Sequence, residues 1–221
     1  MTDLTFTITD AQPAPQTAAP AVNFRIRIRN ESAGRIHALA LRCTVRIDPR
    51  GRRYTSAEAA RLYELFGDVS QWDRTLAPVT WAQSALLMPS FDDQIDVDLP
   101  VACTYDLEVG SAKYLHAVRE SGIPLTFLFS GMVFTVRPSA NRPTPPALWI
   151  EPVPWSAEAA YVMPAQIWQA TMDRFFPGEG WLRLRRDTID RLQAFRGRQA
   201  VVSWDEAIEI LFQHAEAREP V

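Results

Sequence analysis

Lysine is almost missing from these 221 residues: Lys113 stands alone, and every other basic side chain is arginine. With 17 prolines and abundant alanine, this is the codon usage expected of a GC-rich bacterial genome. Arginine enrichment alone is therefore no sign of nucleic-acid binding. Glycine is sparse, at nine, and forms neither a phosphate loop nor a dinucleotide fingerprint. His37, His116 and His214 are scattered, and no CxxC or HxH pattern occurs, which argues against zinc. There is no GxSxG elbow and no activated cysteine context. Enzyme activity is the least supported class, and no cofactor is expected. The formal net charge of −3 provides no overall field for recruiting nucleic acid or an anionic membrane. No apolar run approaches the roughly 20 residues of a membrane helix. Met1–Phe6 lacks the basic and apolar segments of a signal peptide. A cytoplasmic protein with reduced cysteines is expected.

What is present is alternation. In Val22–Asn30, Phe24, Ile26 and Ile28 point one way and Arg25, Arg27 and Arg29 the other. After a turn at Asn30–Gly34, Leu39, Leu41, Cys43, Val45 and Ile47 alternate with Ala40, Arg42, Thr44 and Arg46. Side chains alternate between the faces of a strand, so Val22–Asp48 reads as a β-hairpin with one apolar face. Such a face must be covered by other elements.

Further strands are expected at Leu4–Thr9, Val79–Met88, Gln94–Glu108 (interrupted at Pro100), Ile123–Val136 and Ala147–Val153. The run Ile123–Val136 is the most apolar and reads as a central strand, with Gly131 marking a bulge or bend. Two short helices fall in the connections. Thr55-Ser-Ala-Glu58 is a capping box opening a helix with Ala59, Leu62, Tyr63 and Phe66 inward and Gly67 as its stop. Ser111–Ser121 carries Tyr114, Leu115 and Val118 inward, with Gly122 as its stop. The four prolines of Pro138–Pro146 predict a rigid loop. Beyond Pro154 the period becomes helical: Met163–Phe176, Thr188–Phe195, and Ser203–Ala217 with inner face Trp204, Ile208, Leu211, Phe212 and Ala215. The expected fold is α+β, with about seven antiparallel strands. A β-sandwich domain spans 1–153 with short helices in its connections, and a C-terminal α-helical tail, 154–221, packs on it.

Two surfaces are candidates for interaction. The first is the arginine face, Arg25, Arg27, Arg29, Arg42 and Arg46, projecting from one hairpin. Asp92, Asp93, Asp96 and Asp98 supply opposite charge on a later strand, so a solvated, internally paired face is the preferred reading. The same aspartates lack a calcium loop and spread along a strand, so no metal is expected. The spacing of Cys43 and Cys103 is similar to that of an immunoglobulin disulfide, but the accompanying tyrosine and tryptophan are missing. Both read as small buried hydrophobes.

The second surface is the tail, where Trp168, Met172, Phe175, Phe176 and Trp181 cluster. Aromatics and methionine are enriched in interface centres, yet such a stripe also serves to dock a helix on its own domain, which is the preferred reading. Trp181-Leu-Arg-Leu-Arg185, followed by capped helices, resembles the ribbon-helix-helix pattern. That resemblance implies Arg183 and Arg185 as DNA-reading residues. Residues 181–198 hold six Arg against two Asp, and 203–219 hold five acids against one Arg. Packing of the two segments with paired charges is preferred, and nucleic acid is not the expected partner.

Over most of the chain, Ile123–Phe134 followed by the tail from Trp181-Leu-Arg-Leu184 resembles an uncharacterised bacterial family often encoded beside [NiFe]-hydrogenase genes. The resemblance implies a non-catalytic, protein-binding accessory protein, with hydrogenase subunits or maturation factors as possible partners. A DNA-binding regulator is the alternative, and an enzyme without a recognisable motif the third.

Overall fold

The facing of apolar strand sides, rather than their order in the chain, decides how the strands pair. A computed structural model describes residues 2–32, 34–104, 106, 109–137, 147–180 and 182–217. The expected loop at 138–146 lies outside these residues. Described strands are β1 (Leu4–Pro13), β2 (Ala21–Asn30), β3 (Ile36–Ile47), β4 (Val79–Met88), β5 (Gln94–Ala102), β6 (Gly122–Arg137), β7 (Ala147–Pro152) and β8 (Glu158–Pro164). Described helices are α1 (Ser56–Phe66), α2 (Trp72–Thr75), α3 (Gly110–Ala117), α4 (Ala165–Phe175), α5 (Arg186–Gln199) and α6 (Trp204–Glu216).

The protein is α+β, with two antiparallel sheets, as the alternation predicts. Sheet A has the order β1-β2-β5. Sheet B has the order β4-β3-β6-β7, with β8 also paired to β6. The expected hairpin does not form. β2 pairs with β1 and β5, whereas β3 pairs with β4 and β6. Phe24, Ile26 and Ile28 are fully buried, as are Leu39, Val45 and Ile47. Placed in one sheet, these two apolar faces would both need a cover; placed in opposite sheets, they cover each other. Asn30 secures the crossing. Its amide donates to the Gly34 and Asp92 carbonyls at 2.7 and 2.9 Å, and its oxygen accepts from the Ser32 hydroxyl at 2.6 Å.

The core between the sheets is aromatic at its centre. Phe6 stacks on Phe129 at 4.3 Å, and Phe24 meets Phe127 edge-on at 5.0 Å. Each fully buried side chain of this size contributes about 1.5–3 kcal/mol relative to exposure. The Ser84 hydroxyl donates to the Pro100 carbonyl at 3.2 Å, linking β4 to β5. The Thr2 amide and hydroxyl both donate to Glu151 at 2.8 and 2.7 Å, linking the chain start to β7.

α1 begins at the predicted capping box, with Thr55 accepting from the Glu58 amide at 3.2 Å, and ends at Gly67. Its buried residues are Glu58, Leu62 and Phe66. Tyr63, expected inward, is 64% exposed. α3 buries Tyr114 and Leu115 as predicted, but its C-cap is Val118, and Gly122 instead opens β6. Under α1 lies a polar node: Arg52 donates to both oxygens of Glu58 at 2.7 Å, and both side chains are under 10% exposed. Tyr54 and Tyr114 share a hydroxyl contact of 2.8 Å beside it.

The chain divides into compact units at residues 180 and 181 rather than at Pro154. Glu158–Pro164, expected to lie outside the β-domain, pairs with β6 as an eighth strand. The expected helix from Met163 therefore begins at Ala165, and Met163 belongs to β8. α4 buries Ala165, Trp168, Thr171 and Met172 within this first unit.

The second unit is a helical hairpin of α5 and α6. Ala200, in left-handed conformation (φ 54°), ends α5. Ser203 caps α6 by accepting from the Glu206 amide at 3.0 Å. Arg196 lies over the Trp204 ring at 4.1 Å, and Phe195 meets His214 edge-on. The predicted inner face of α6 is not buried as a whole. Ala207 is its buried residue, while Trp204 and Phe212 are 40% and 58% exposed.

Two predictions follow from this packing. Gly131 has φ +153°, and a Cβ there would sit 2.0 Å from the Ala40 carbonyl oxygen. Gly131→Ala is expected to cost at least about 3 kcal/mol in urea unfolding, through backbone strain and forced strand separation. For Glu58, burial opposes ionisation, but the Thr55 amide, Arg52 and the Ser121 hydroxyl outweigh it and hold the carboxyl below its ordinary 4.5. A depressed folded value means that its stabilisation is present above the unfolded pKa and lost as pH falls through the folded one. Glu58→Gln, which leaves Arg52 buried without its carboxylate, is expected to cost about 3 kcal/mol near neutral pH. The variant should also flatten the fall of stability below the ordinary carboxylate value; an acid limb identical to wild type would refute the assignment.

Candidate protein-binding surface

The five arginines expected on one face are divided by the sheet assignment. Arg25, Arg27 and Arg29 project from sheet A, and Arg42 and Arg46 from the outer side of sheet B. On sheet A the register sets Arg25 opposite Asp98 and Arg27 opposite Asp96. Arg27 grips Asp96 through two bonds of 2.8 and 2.9 Å, and Arg25 meets Asp98 at 2.5 Å. The Arg27 hydrogen bond holds the Asp96 carboxyl below its usual range, and Asp96 in turn raises Arg27. This is the charge ladder that the aspartate alternation predicts. It satisfies the guanidiniums within the sheet and leaves Arg29 opposite Gln94.

Sheet B presents a different outer face. Leu87, Ala40, Met132 and Pro152 stand in one row across β4, β3, β6 and β7. Ala38, Phe134 and Ile150 form the next row, and Val136 and Leu148 a third. Leu87 is 77% exposed, and Met132, Val136, Leu148 and Ile150 lie between 42% and 54%. A shallow groove of about 600 Å³ crosses the first row, with Arg42 and Ser130 at its polar edge. The solvated face of an antiparallel sheet is ordinarily polar, so contiguous apolar rows are an exception. Exposed apolar patches rimmed by polar residues mark interaction sites.

Sequence reasoning missed this surface, although its signal was present. In Ile123–Val136 the inward residues are Ile123, Leu125, Phe127, Phe129 and Val133, but Leu128, Met132, Phe134 and Val136 of the opposite parity are apolar as well. That run reads as a strand covered on both sides, whereas here one side faces outward.

The tail candidates are separated too. Trp168 is 4% exposed and belongs to the core of the first unit, edge-on to His116 at 4.6 Å. Burial, with Arg119 adding to it, lowers the His116 pKa. Phe176 is half-buried against the same core. Trp181 lies outside the described residues. Arg183 and Arg185 are exposed, but residues 182–185 form no strand, so the expected ribbon does not appear within the single chain. Arg185 instead pairs with Asp187 at 3.0 Å.

Cys43 and Cys103 are both free and buried. Burial pushes each thiol up to about 12. Among the described residues, no group of three His, Cys, Asp or Glu side chains is placed to hold a metal, and no helix is long and apolar enough to cross a membrane.

With this geometry in place, the comparison with known families is direct. The chain belongs to a family of unknown function, DUF6084, which matches residues 1–220. No curated protein matches it.

Because the thiolate is the reactive form, both cysteines should resist a thiol-exchange reagent at about pH 8 in the native protein and react stoichiometrically in denaturant. Rapid native labelling of either would contradict their burial.

Proposed function

We propose that this protein is a non-catalytic accessory protein that holds a protein partner on the outer face of sheet B. One observation supports the reading: three successive rows of exposed apolar side chains, from Leu87 on β4 to Leu148 on β7, bounded by Arg42. Removing such rows from water on binding is favourable at roughly 25 cal/mol per Å² before ordering costs are subtracted. The chemistry that fits is an amphipathic segment with an apolar stripe along the rows and a carboxylate toward Arg42. We place the protein in the cytoplasm. The resemblance of Ile123–Phe134 and the tail to proteins encoded beside [NiFe]-hydrogenase genes makes hydrogenase subunits and maturation factors the first partners to test.

The test is capture of those proteins by the tagged full-length chain, paired with Leu87→Asp/Met132→Asp. Both positions are exposed, so the variant should keep its melting temperature while partner affinity falls at least about 10-fold. Equal capture by a folded variant would remove the sheet B surface from the reading. Specific DNA binding lost in Arg183→Ala/Arg185→Ala would replace the reading with that of a DNA-binding regulator.

A further inference from the structure

The α5–α6 hairpin does not bury a core of its own. No residue of α5 is buried, and on α6 Ala207 alone is. Phe212 is 58% exposed and shares a stripe of α6 with Asp205, Glu209 and Glu216, because steps of three and four residues return to one helix face. Beside it, a groove of about 510 Å³ has Leu192, Phe195 and Leu211 in its lining, together with Arg191 and Arg198. One part of the hairpin thus offers an aromatic knob among carboxylates, and another an apolar hole among guanidiniums. The hairpin does not spend these charges on itself. Among the described residues its one ion pair is Arg185 with Asp187, next to each other at the start of α5.

We propose that the groove is filled by a second copy of this chain, with Phe212 of each protomer entering the Leu192–Phe195–Leu211 groove of the other. Glu209 and Glu216 then face Arg191 and Arg198, and two hairpins form a four-helix bundle about a twofold axis. A twofold contact needs a patch complementary to itself. Knob and hole of opposite charge on the same hairpin meet that condition. Antiparallel helix pairs bury their apolar stripes in this way in four-helix bundles. The contact is independent of sheet B, so failure of either proposal leaves the other standing.

Sedimentation velocity on the full-length protein, over roughly 1–100 μM, tests the idea. A dimer is expected, and Phe212→Ala should raise its dissociation constant at least about 10-fold, because that exposed ring is the buried anchor of the contact. Arg191→Glu/Arg198→Glu and Glu209→Arg/Glu216→Arg should each be monomeric alone. Mixed in equal amounts, they should form a heterodimer, since every like-charge clash is then replaced by an attraction. Heterodimer formation also shows that both variants are folded at the contact. A wild-type monomer at the highest concentration would overturn the proposal. So would a dimer unaffected by Phe212→Ala, or a mixture that stays monomeric while circular dichroism reports intact helices.

Discussion

Phe24 holds the two sheets together. From β2 of sheet A it reaches three rings of sheet B edge-on: Phe127 on β6 at 5.0 Å, Trp81 on β4 at 6.0 Å and Tyr161 on β8 at 6.2 Å. Edge-to-face pairs add about 0.5–1.5 kcal/mol each beyond the area they bury. Ile26 and Ile28 continue the same buried line. Because strands β4, β6 and β8 converge on one side chain of β2, the opposition of the sheets is set by a few bulky residues. Strand order within each sheet then follows from hydrogen bonding at their edges. α1 and α3 contribute a separate wall, tied down by the Arg52–Glu58 node and by Tyr114.

The two outer faces of the sandwich differ in composition. Sheet A directs its charges at each other, Arg25 and Arg27 against Asp98 and Asp96, and is finished as a solvated surface. Sheet B carries apolar side chains outward in three successive rows. The helical hairpin repeats the contrast on a smaller scale, with charges left uncompensated and an apolar groove left open. Both surfaces leave apolar side chains exposed, Leu87 and Ile150 on the sheet and Phe212 on the hairpin.

Much of the fold was legible in the residues. Alternation located seven strands, and Thr55-Ser-Ala-Glu58 fixed the start of α1 to the residue. That aspartates on a later strand balance the arginine face was legible too, and the register adds which pairs form, Arg25 with Asp98 and Arg27 with Asp96. What failed was long-range pairing. Period-2 alternation says which side of a strand is apolar, but not whether the next strand lies beside it or across from it, and both arrangements bury the same residues. Glu158–Pro164 was lost because its Ala-Ala-Tyr-Val-Met run adjoins Pro164, which reads equally well as a helix start. The sheet B surface was hidden by the assumption that an apolar run is an inside run, a one-way rule that exposed side chains such as Leu87 break.

The hydrogen bonds from Thr2 to Glu151 span 149 residues and join the beginning of β1's sheet to a strand that emerges late. β8, later still, completes the pairing of β6. A chain released N-terminus first at roughly 5–20 residues per second therefore holds Thr2 and Phe24 for several seconds before Glu151 of β7 and Tyr161 of β8 exist. Closure of the first unit consequently waits for β8, the last of the described strands to be made. Circular permutation that brought β7 and β8 ahead of β1 would make β6, rather than β8, the last strand of the sandwich to be made.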